Sequence, residues 1–354
     1  MIAPIPVSLI TGFLGSGKTT LLNRLLKQGA LHDAALIINE FGDVGIDHLL
    51  VETADEGIVE LSDGCLCCTI RGDLVDTLSR LLNRDMPPAR IIIESTGLAD
   101  PAPILHAIMG HPMLSQALRL DGVICLIDGV NGMSTLDEHE EAVKQVAVAD
   151  RLVLTKTDMA APDDNLIPRL QQLNPAAQLL DGQKDKIGFA GLFNCGLYDP
   201  STKTADVARW LNDEAISSHH HHHNHDINRH DARIRAFTLL SDQAVDASAL
   251  AAFVDLLRSA HGPNLLRVKG IVRIKEDPNR PVVIHGVQQV FHPPATLPVW
   301  PDDDRRTRLV MITRDLSEPF VRKLFDAFVG NTGIDTADRQ ALDDNPLAVP
   351  GKSF

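Results

Sequence analysis

An α/β fold, with a mostly parallel doubly wound sheet followed by a smaller α+β domain, is predicted by three observations. Residues 1 to about 190 alternate short β-branched runs with longer stretches of helical periodicity, the pattern of strands joined by crossover helices. Those strands are near-continuous apolar runs, as expected of a sheet covered on both faces. After a break at about 196–230, strands outnumber helices and a turn at Asp277-Pro278-Asn279-Arg280 gives hairpin-like spacing.

Taken in order, Val7–Ile10, Ala35–Ile38, Ile58–Leu61, Arg90–Ile93, Val123–Ile127 and Leu152–Leu154 read as strands of the first part. Thr19–Gln28, Asp73–Asn83, Pro101–Met109 and Leu136–Ala149 read as its helices. In the second part Ile234–Leu239, Leu266–Lys275, Val282–Ile284 and Leu309–Thr313 read as strands, and Ala249–Ser259 and Glu318–Phe328 as helices. This divides the 354 residues into a first domain at 1–195, a His-rich linker at 196–230, an α+β domain at 231–330 and a polar tail at 331–354.

Composition narrows the function. With 33 basic and 47 acidic residues the chain carries a formal charge of −14, which argues against nucleic acid or an anionic membrane as a partner. No apolar run reaches the length of about 18 residues that a spanning helix needs. The start, MIAPIPVSLITGF, lacks the basic and small-residue marks of a signal peptide and runs straight into a glycine motif, so a cytoplasmic protein is expected. Five cysteines without framework spacing suit thiols or metal ligands better than disulfides.

Gly12-Phe-Leu-Gly-Ser-Gly17-Lys18-Thr19 matches G-x-x-x-x-G-K-[ST], directly after a predicted strand and before a predicted helix. The glycines let backbone N–H groups face a phosphate, and the helix N-terminus adds its positive end. Lys18 is expected on the β- and γ-phosphates and the Thr19 hydroxyl on Mg²⁺. Thr155-Lys156-Thr157-Asp158 follows an apolar strand and matches N/T-K-x-D. Its Asp accepts from guanine N1–H and the exocyclic amine, whereas adenine offers an acceptor at N1. Thr155 in place of Asn loses an amide that would hold the loop. Glu94-Ser95-Thr96-Gly97 ends another strand: Glu94 is placed to hold Mg²⁺ through water or to orient the attacking water, and Gly97 lets the backbone approach a γ-phosphate.

Cys65, Cys67 and Cys68, within SDGCLCCTIRG, include the C-x-x-C spacing that wraps one soft metal ion, with a third thiolate beside it. No second ligand pair lies near, so the site is open or is completed from elsewhere. Glu40 follows a strand that ends at the same carboxyl edge, which makes it a candidate oxygen ligand or a support for the thiolates. A redox-active dithiol and inert buried thiols are the other readings, and polar neighbours Ser62, Asp63, Thr69 and Arg71 argue against burial. Cys125 and Cys195 receive no role. His219, His220, His221, His222 and His223, with His225 and His230, form either an internal metal-collecting linker or a purification tag. The internal position and low apolar content favour a low-specificity metal reservoir.

Together, TGFLGSGKTTLLNRLL, NEFGDVGID, LSDGCLCCTIRGDL, IIIESTGLADP and TKTD resemble the CobW-type family of metal-handling P-loop GTPases. The resemblance continues through LLRVKGIVRIKEDPNRPVVIHGVQQVFHP and DNPLAVPG, so it covers almost the whole chain. It implies a P-loop GTPase domain and GTP hydrolysis coupled to delivery of a transition metal, most often Zn²⁺, to a client metalloprotein. It also implies that Gly12, Gly15, Ser16, Gly17, Lys18, Thr19 and Thr20 hold phosphates and Mg²⁺. Thr155, Lys156 and Asp158 go to guanine, with Thr155 an accepted variant. Cys65, Cys67 and Cys68 go to the metal, with Glu40 beside them, and a His-rich loop is common in the family. The client and the metal stay open, since relatives serve zinc homeostasis, cobalamin synthesis and nitrile hydratase activation, with Co²⁺ or iron as the alternatives. A redox-sensing signalling GTPase and a metal store are the rival functions. The sequence leaves monomer and homodimer equally open.

Overall fold

β-branched residues crowd the helix backbone but pack well on a pleated surface, and the runs rich in Ile and Val form strands accordingly. A computed structural model of the chain describes residues 4–29, 31, 33–38, 58–60, 69–183, 188–193 and 233–330. The first sheet has seven strands: β1 (Ile5–Gly12), β2 (Ala34–Ile38), β3 (Ile58–Glu60), β4 (Arg90–Glu94), β5 (Leu118–Asp128), β6 (Arg151–Thr155) and β7 (Gln178–Asp181). Their order is β3-β2-β4-β1-β5-β6-β7, and every pairing is parallel. The helices between them are α1 (Lys18–Lys27), α2 (Thr69–Leu82), α3 (Ala102–Gly110), α4 (Leu114–Ala117), α5 (Gly132–Glu138), α6 (Glu140–Val148) and α7 (Leu166–Leu173), with a short α8 (Phe189–Leu192) after β7.

Helices cover both faces, as the continuous apolar strands predict. On one side Leu74, Leu78 and Leu81 of α2 and Leu105 and Ile108 of α3 pack on Val7, Leu9, Ile37, Ile91 and Ile93. On the other, Leu21, Leu22 and Leu25 of α1 pack on Ile10, Leu36, Ile92 and Leu126. The order reverses direction at β1, the strand that carries the glycine motif. Ligands of open α/β sheets bind at such a switch point, beyond the carboxyl ends of the strands.

The second sheet, order β11-β10-β9-β13-β8, is antiparallel, with β12 pairing on β10. Its strands are β8 (Ile234–Ser241), β9 (Leu265–Val272), β10 (Val282–Val287), β11 (Val290–Phe291), β12 (Ala295–Thr296) and β13 (Thr307–Arg314). One face carries α9 (Ala247–His261) and α10 (Glu318–Val329), with Phe253 edge-on to Phe325 at 5.3 Å. The opposite face lies on the first domain: Ile234, Leu266 and Ile312 share a core cluster with α6 and α7, and Val287 joins the cluster of α2 and α3.

The elements differ from expectation in the short α4, α8, β11 and β12, which the sequence pattern does not predict, and in two larger places. The single helix predicted over Leu136–Ala149 is two, α5 and α6, because His139 between them is extended (φ −129°, ψ 110°) and its ring stacks on Phe13 at 4.3 Å. Glu140 and Glu141 then open α6, where carboxylates favour a helix start. The helix α7 and the edge strand β7, neither expected, close the far end of the first sheet. Among the described residues no helix is long and apolar enough to cross a membrane.

Candidate functional site at the carboxyl edge of the parallel sheet

The turn from β1 into α1 is built by backbone demands. Gly12 has φ 142°, and a Cβ there would lie 2.5 Å from the Leu126 carbonyl oxygen of the neighbouring strand, so only glycine fits. Gly17, left-handed at φ 90°, is the N-cap of α1, and no side chain caps the helix. The first N–H groups of α1 therefore stand as donors for an anion held by the loop. Lys18, 9% exposed, folds back so that its Nζ donates to the carbonyls of Gly12 (2.9 Å) and Phe13 (3.2 Å). The amide of Ser16 also donates to Phe13 (3.1 Å), which closes the loop around Gly15 (φ 72°). Thr19 is half-buried and Thr20 exposed.

Glu94 sits at the end of β4, buried, in register with Ile10 of β1 on one side and Ile38 of β2 on the other. Ser95 turns inward, its Oγ donating to Thr11 Oγ1 (2.9 Å). Capping of α3 falls to Asp100, whose carboxylate accepts from the Ala102 amide at 2.9 Å. Gly97 presses on the glycine loop: a Cβ there would stand 2.6 Å from the Leu14 amide nitrogen.

The loop after β6 lies on the other side. The Thr155 hydroxyl is 2.8 Å from the Ser16 carbonyl and 3.2 Å from that of Ile127, so this threonine ties the loop to the glycine turn in place of the missing amide. Lys156 is left-handed (φ 57°), and its Nζ donates to Asp128 at 2.7 Å. Burial pushes the Asp128 carboxyl up, but Lys156 and the amides of Val130 and Asn131 outweigh it and hold it below the usual range. Thr157 donates to Asp181 (2.7 Å) at the end of β7, while Asp158 is exposed. Asp128, Asp181 and Arg24, which donates to the Gly182 carbonyl at 2.9 Å, brace this loop. Arg24 falls within the stretch after the glycine motif, whereas Asp128 and Asp181 belong to no motif, although each ends an apolar run.

Glu40, Cys65, Cys67, Cys68, His219, His220, His221, His222, His223 and His225 lie outside the described residues. What frames them is described: Ile38 of β2 is paired with Glu60 of β3 and with Glu94 of β4. Glu40 follows two positions after Ile38, and Cys65 to Cys68 stand between the end of β3 and the start of α2. Among the described residues no group of three or more His, Cys, Asp or Glu is placed to hold a metal ion. Cys125 is buried in β5, where burial pushes its thiol up to about 12, so it is an inert core residue.

Residues 6–181 match the CobW/HypB/UreG nucleotide-binding domain, and residues 234–329 match the C-terminal domain of the cobalamin synthesis protein CobW. The chain is 33% identical over 326 residues to the zinc chaperone YjiA of Escherichia coli (strain K12), spanning 91% of this chain and 98% of that protein. It is 29% identical over 361 residues to the zinc chaperone CobW of Sinorhizobium sp., spanning 92% and 97%. The crystal structure of the Zn(II)-bound YjiA GTPase from E. coli superposes with a TM-score of 0.66 at 27% identity, covering 92% of this chain and 99% of that one.

Proposed function

The chain belongs to the CobW/HypB/UreG family of P-loop GTPases, and from that premise we propose that it is a GTP-dependent zinc metallochaperone that passes Zn²⁺ to a client metalloprotein. The β- and γ-phosphates of GTP lie in the cradle of Gly12, Gly15, Ser16, Gly17, Lys18, Thr19 and Thr20. Gly97 presents its amide to the γ-phosphate, and Glu94 orients the attacking water. Asp158 accepts from guanine while Thr155 and Lys156 hold its loop. The oxygen donors Thr19 and Glu94, on neighbouring elements, fit Mg²⁺, which supplies charge neutralisation on the phosphates when bound. Zn²⁺ is the cargo, taken by the thiolates of Cys65, Cys67 and Cys68 with Glu40 beside them. His219 to His223 and His225 gather the metal at low specificity.

One observation carries this reading. The ends of β2, β3 and β4 stand side by side through Ile38, Glu60 and Glu94, and β4 adjoins the strand of the glycine loop. The segments bearing Glu40 and the cysteines therefore start from the edge at which phosphate is bound and lost. GTP draws them together into a metal site, and hydrolysis removes the contacts that hold them, which frees the metal for the client.

The test is a competition titration of Zn²⁺, with Co²⁺ in parallel, against a chelating dye in the presence of GDP or a non-hydrolysable GTP analogue. Zn²⁺ affinity is expected to rise with the GTP analogue, and to lose that dependence in Lys18→Ala and in the joint Cys65, Cys67 and Cys68→Ala variant. Equal affinity in both nucleotide states removes the coupling, and a stronger nucleotide effect on Co²⁺ reassigns the metal.

A further inference from the structure

Helix α6 runs behind the glycine loop, and its middle carries a polar side chain with no access to solvent. Gln145 is 0% exposed. Its Nε2 donates to two backbone carbonyls of the loop after β4, Gly97 at 3.1 Å and Ala99 at 3.0 Å. One residue earlier, Lys144 stands 3.8 Å from the Asp100 carboxylate, and Asp100 in turn caps α3. At the start of the same helix His139 stacks on Phe13 of the glycine loop. Thus α6 touches both loops, and those loops touch each other where Gly97 meets Leu14. A buried amide is costly unless it is hydrogen-bonded; this one spends both N–H donors on a single short loop, while its Oε1 has no hydrogen-bond partner among the described residues.

We infer that Gln145 is a positioning residue for GTP hydrolysis: it holds the Gly97–Ala99 backbone by its carbonyls, so that the Gly97 amide faces the γ-phosphate. This rests on the reading of Gly97 given above. The role is geometric. The Gly97 amide belongs to the planar Thr96–Gly97 unit, whose oxygen accepts from the Ala99 amide at 3.1 Å, and Gln145 pins the carbonyls of Gly97 and Ala99 that follow, so the turn that aims this unit is held. Donors aimed in advance at developing charge are what lower a phosphoryl-transfer barrier. GDP lacks the group that this loop would contact, so the effect falls on turnover and leaves GDP binding alone.

The test uses the full chain with Gln145→Met and Gln145→Glu, both close to glutamine in size. Turnover of GTP at saturation is expected to fall by about tenfold or more in each at neutral pH, the size of one lost transition-state hydrogen bond. Affinity for fluorescent GDP should stay within about twofold, a bound set by the absence of any contact to the lost group. Gln145→Glu adds a readout that a packing role does not give. Its protonated carboxyl recovers one donor, so its turnover relative to the native chain should rise as pH is lowered from about 8 to about 6, whereas Gln145→Met shows no such recovery. Native-like turnover in either folded variant overturns the inference, as does a parallel loss of GDP affinity or the absence of acid recovery in Gln145→Glu. Gly97→Ala separates the two layers. If it hydrolyses GTP normally, the reading of Gly97 fails; if it is impaired while both Gln145 variants are not, only the role of Gln145 fails.

Discussion

The two ends of α6 hold polar groups in opposite ways. Toward the nucleotide edge several contacts run from side chains to neutral backbone, Lys18 to Gly12 and Phe13, Thr155 to Ser16, and Gln145 to Gly97 and Ala99, and the ion pair there, Lys156 with Asp128, leaves Lys156 about a third exposed. At the far end, the seam with the second sheet, full charges meet. Asp150 Oδ1 accepts from Arg267 and from Lys269, both at 2.6 Å, and its other oxygen accepts from the Val123 amide at 2.9 Å. Arg267 also donates to the Val148 carbonyl at 2.8 Å. The energetics of the two arrangements differ. A hydrogen bond to a neutral carbonyl contributes about 1 kcal/mol net and can be exchanged for one to a ligand. Removing one member of a buried ion cluster strands a charge, at about 3–5 kcal/mol. The glycine loop and the loop after β4 are held by contacts of the first kind, and the joint with the second domain by the second.

That contrast breaks first, if it breaks, at Asp150. Asp150→Ala leaves Arg267 and Lys269 buried without their carboxylate and should lower unfolding stability by about 3–5 kcal/mol in urea melts. Adding Arg267→Met and Lys269→Met to it should recover most of the loss, because an apolar cluster of similar volume can replace a buried ionic one. A cost for Asp150→Ala under about 1 kcal/mol, the range of exposed pairs, would show that the seam is no firmer than the edge.

Acid should loosen the seam in two stages. His285 of β10 is buried beside this cluster, and neither ring nitrogen has a hydrogen-bond partner among the described residues. Burial first, then Arg267 and Lys269, with a further push from His292, hold its pKa well below the ordinary value against the pull of Asp150. A histidine depressed in the folded state takes its proton more readily when unfolded. Its contribution is complete above the unfolded value of about 6.5 and is lost as pH falls from there toward the folded value. The slope is at most about 1.4 kcal/mol per pH unit for one proton. Asp150 follows the same sign at lower pH. Burial alone would raise its pKa, but Arg267 and Lys269 outweigh that and hold it far below the usual range, so its share is lost only below about pH 4. His285→Gln should flatten the stability profile between about pH 6.5 and 4.5 while leaving the steeper fall below about pH 4. An unchanged upper slope in urea melts across that range would remove His285 from the account.

The nucleotide edge was far more legible in the sequence than the seam, and chain geometry explains why. A phosphate cradle needs consecutive backbone positions, so Gly12 to Thr19 appears as one unbroken motif, and Thr155 to Asp158 as another. The seam draws Asp150, Arg267, Lys269 and His285 from three separate stretches. Arg267 and Lys269 alternate with apolar Leu266 and Val268 along β9, a pattern that reads as a solvent-facing strand. In the fold that face lies on the first domain, so the alternation marks burial against a charge. Gln145 was equally silent, because a glutamine in a helix that also carries Glu140, Glu141 and Lys144 reads as one more polar position. The break at His139 is set by Phe13, 126 residues earlier, which no local window spans.

The smallest expected effect sits where the two kinds of contact meet. At the first residue of α6 Glu140 pairs with Arg314 of β13, and Lys144 stands 3.4 Å from the same carboxylate. Burial raises the Glu140 carboxyl, but Lys144 and then Arg314 bring it below its ordinary value. Unlike Asp150, both partners are about a quarter to a third exposed, so water screens the pair and can replace either member. Arg314→Ala should therefore cost less than about 1 kcal/mol, and a double-mutant cycle with Glu140→Gln should give a coupling of similar size that shrinks in high salt. A coupling of several kcal/mol would mean that this pair belongs with the Asp150 cluster and that the rigid joint reaches the start of α6, one residue from the His139 ring that packs on the glycine loop. A small coupling leaves that end of the helix free to follow the loop while Asp150 holds the other.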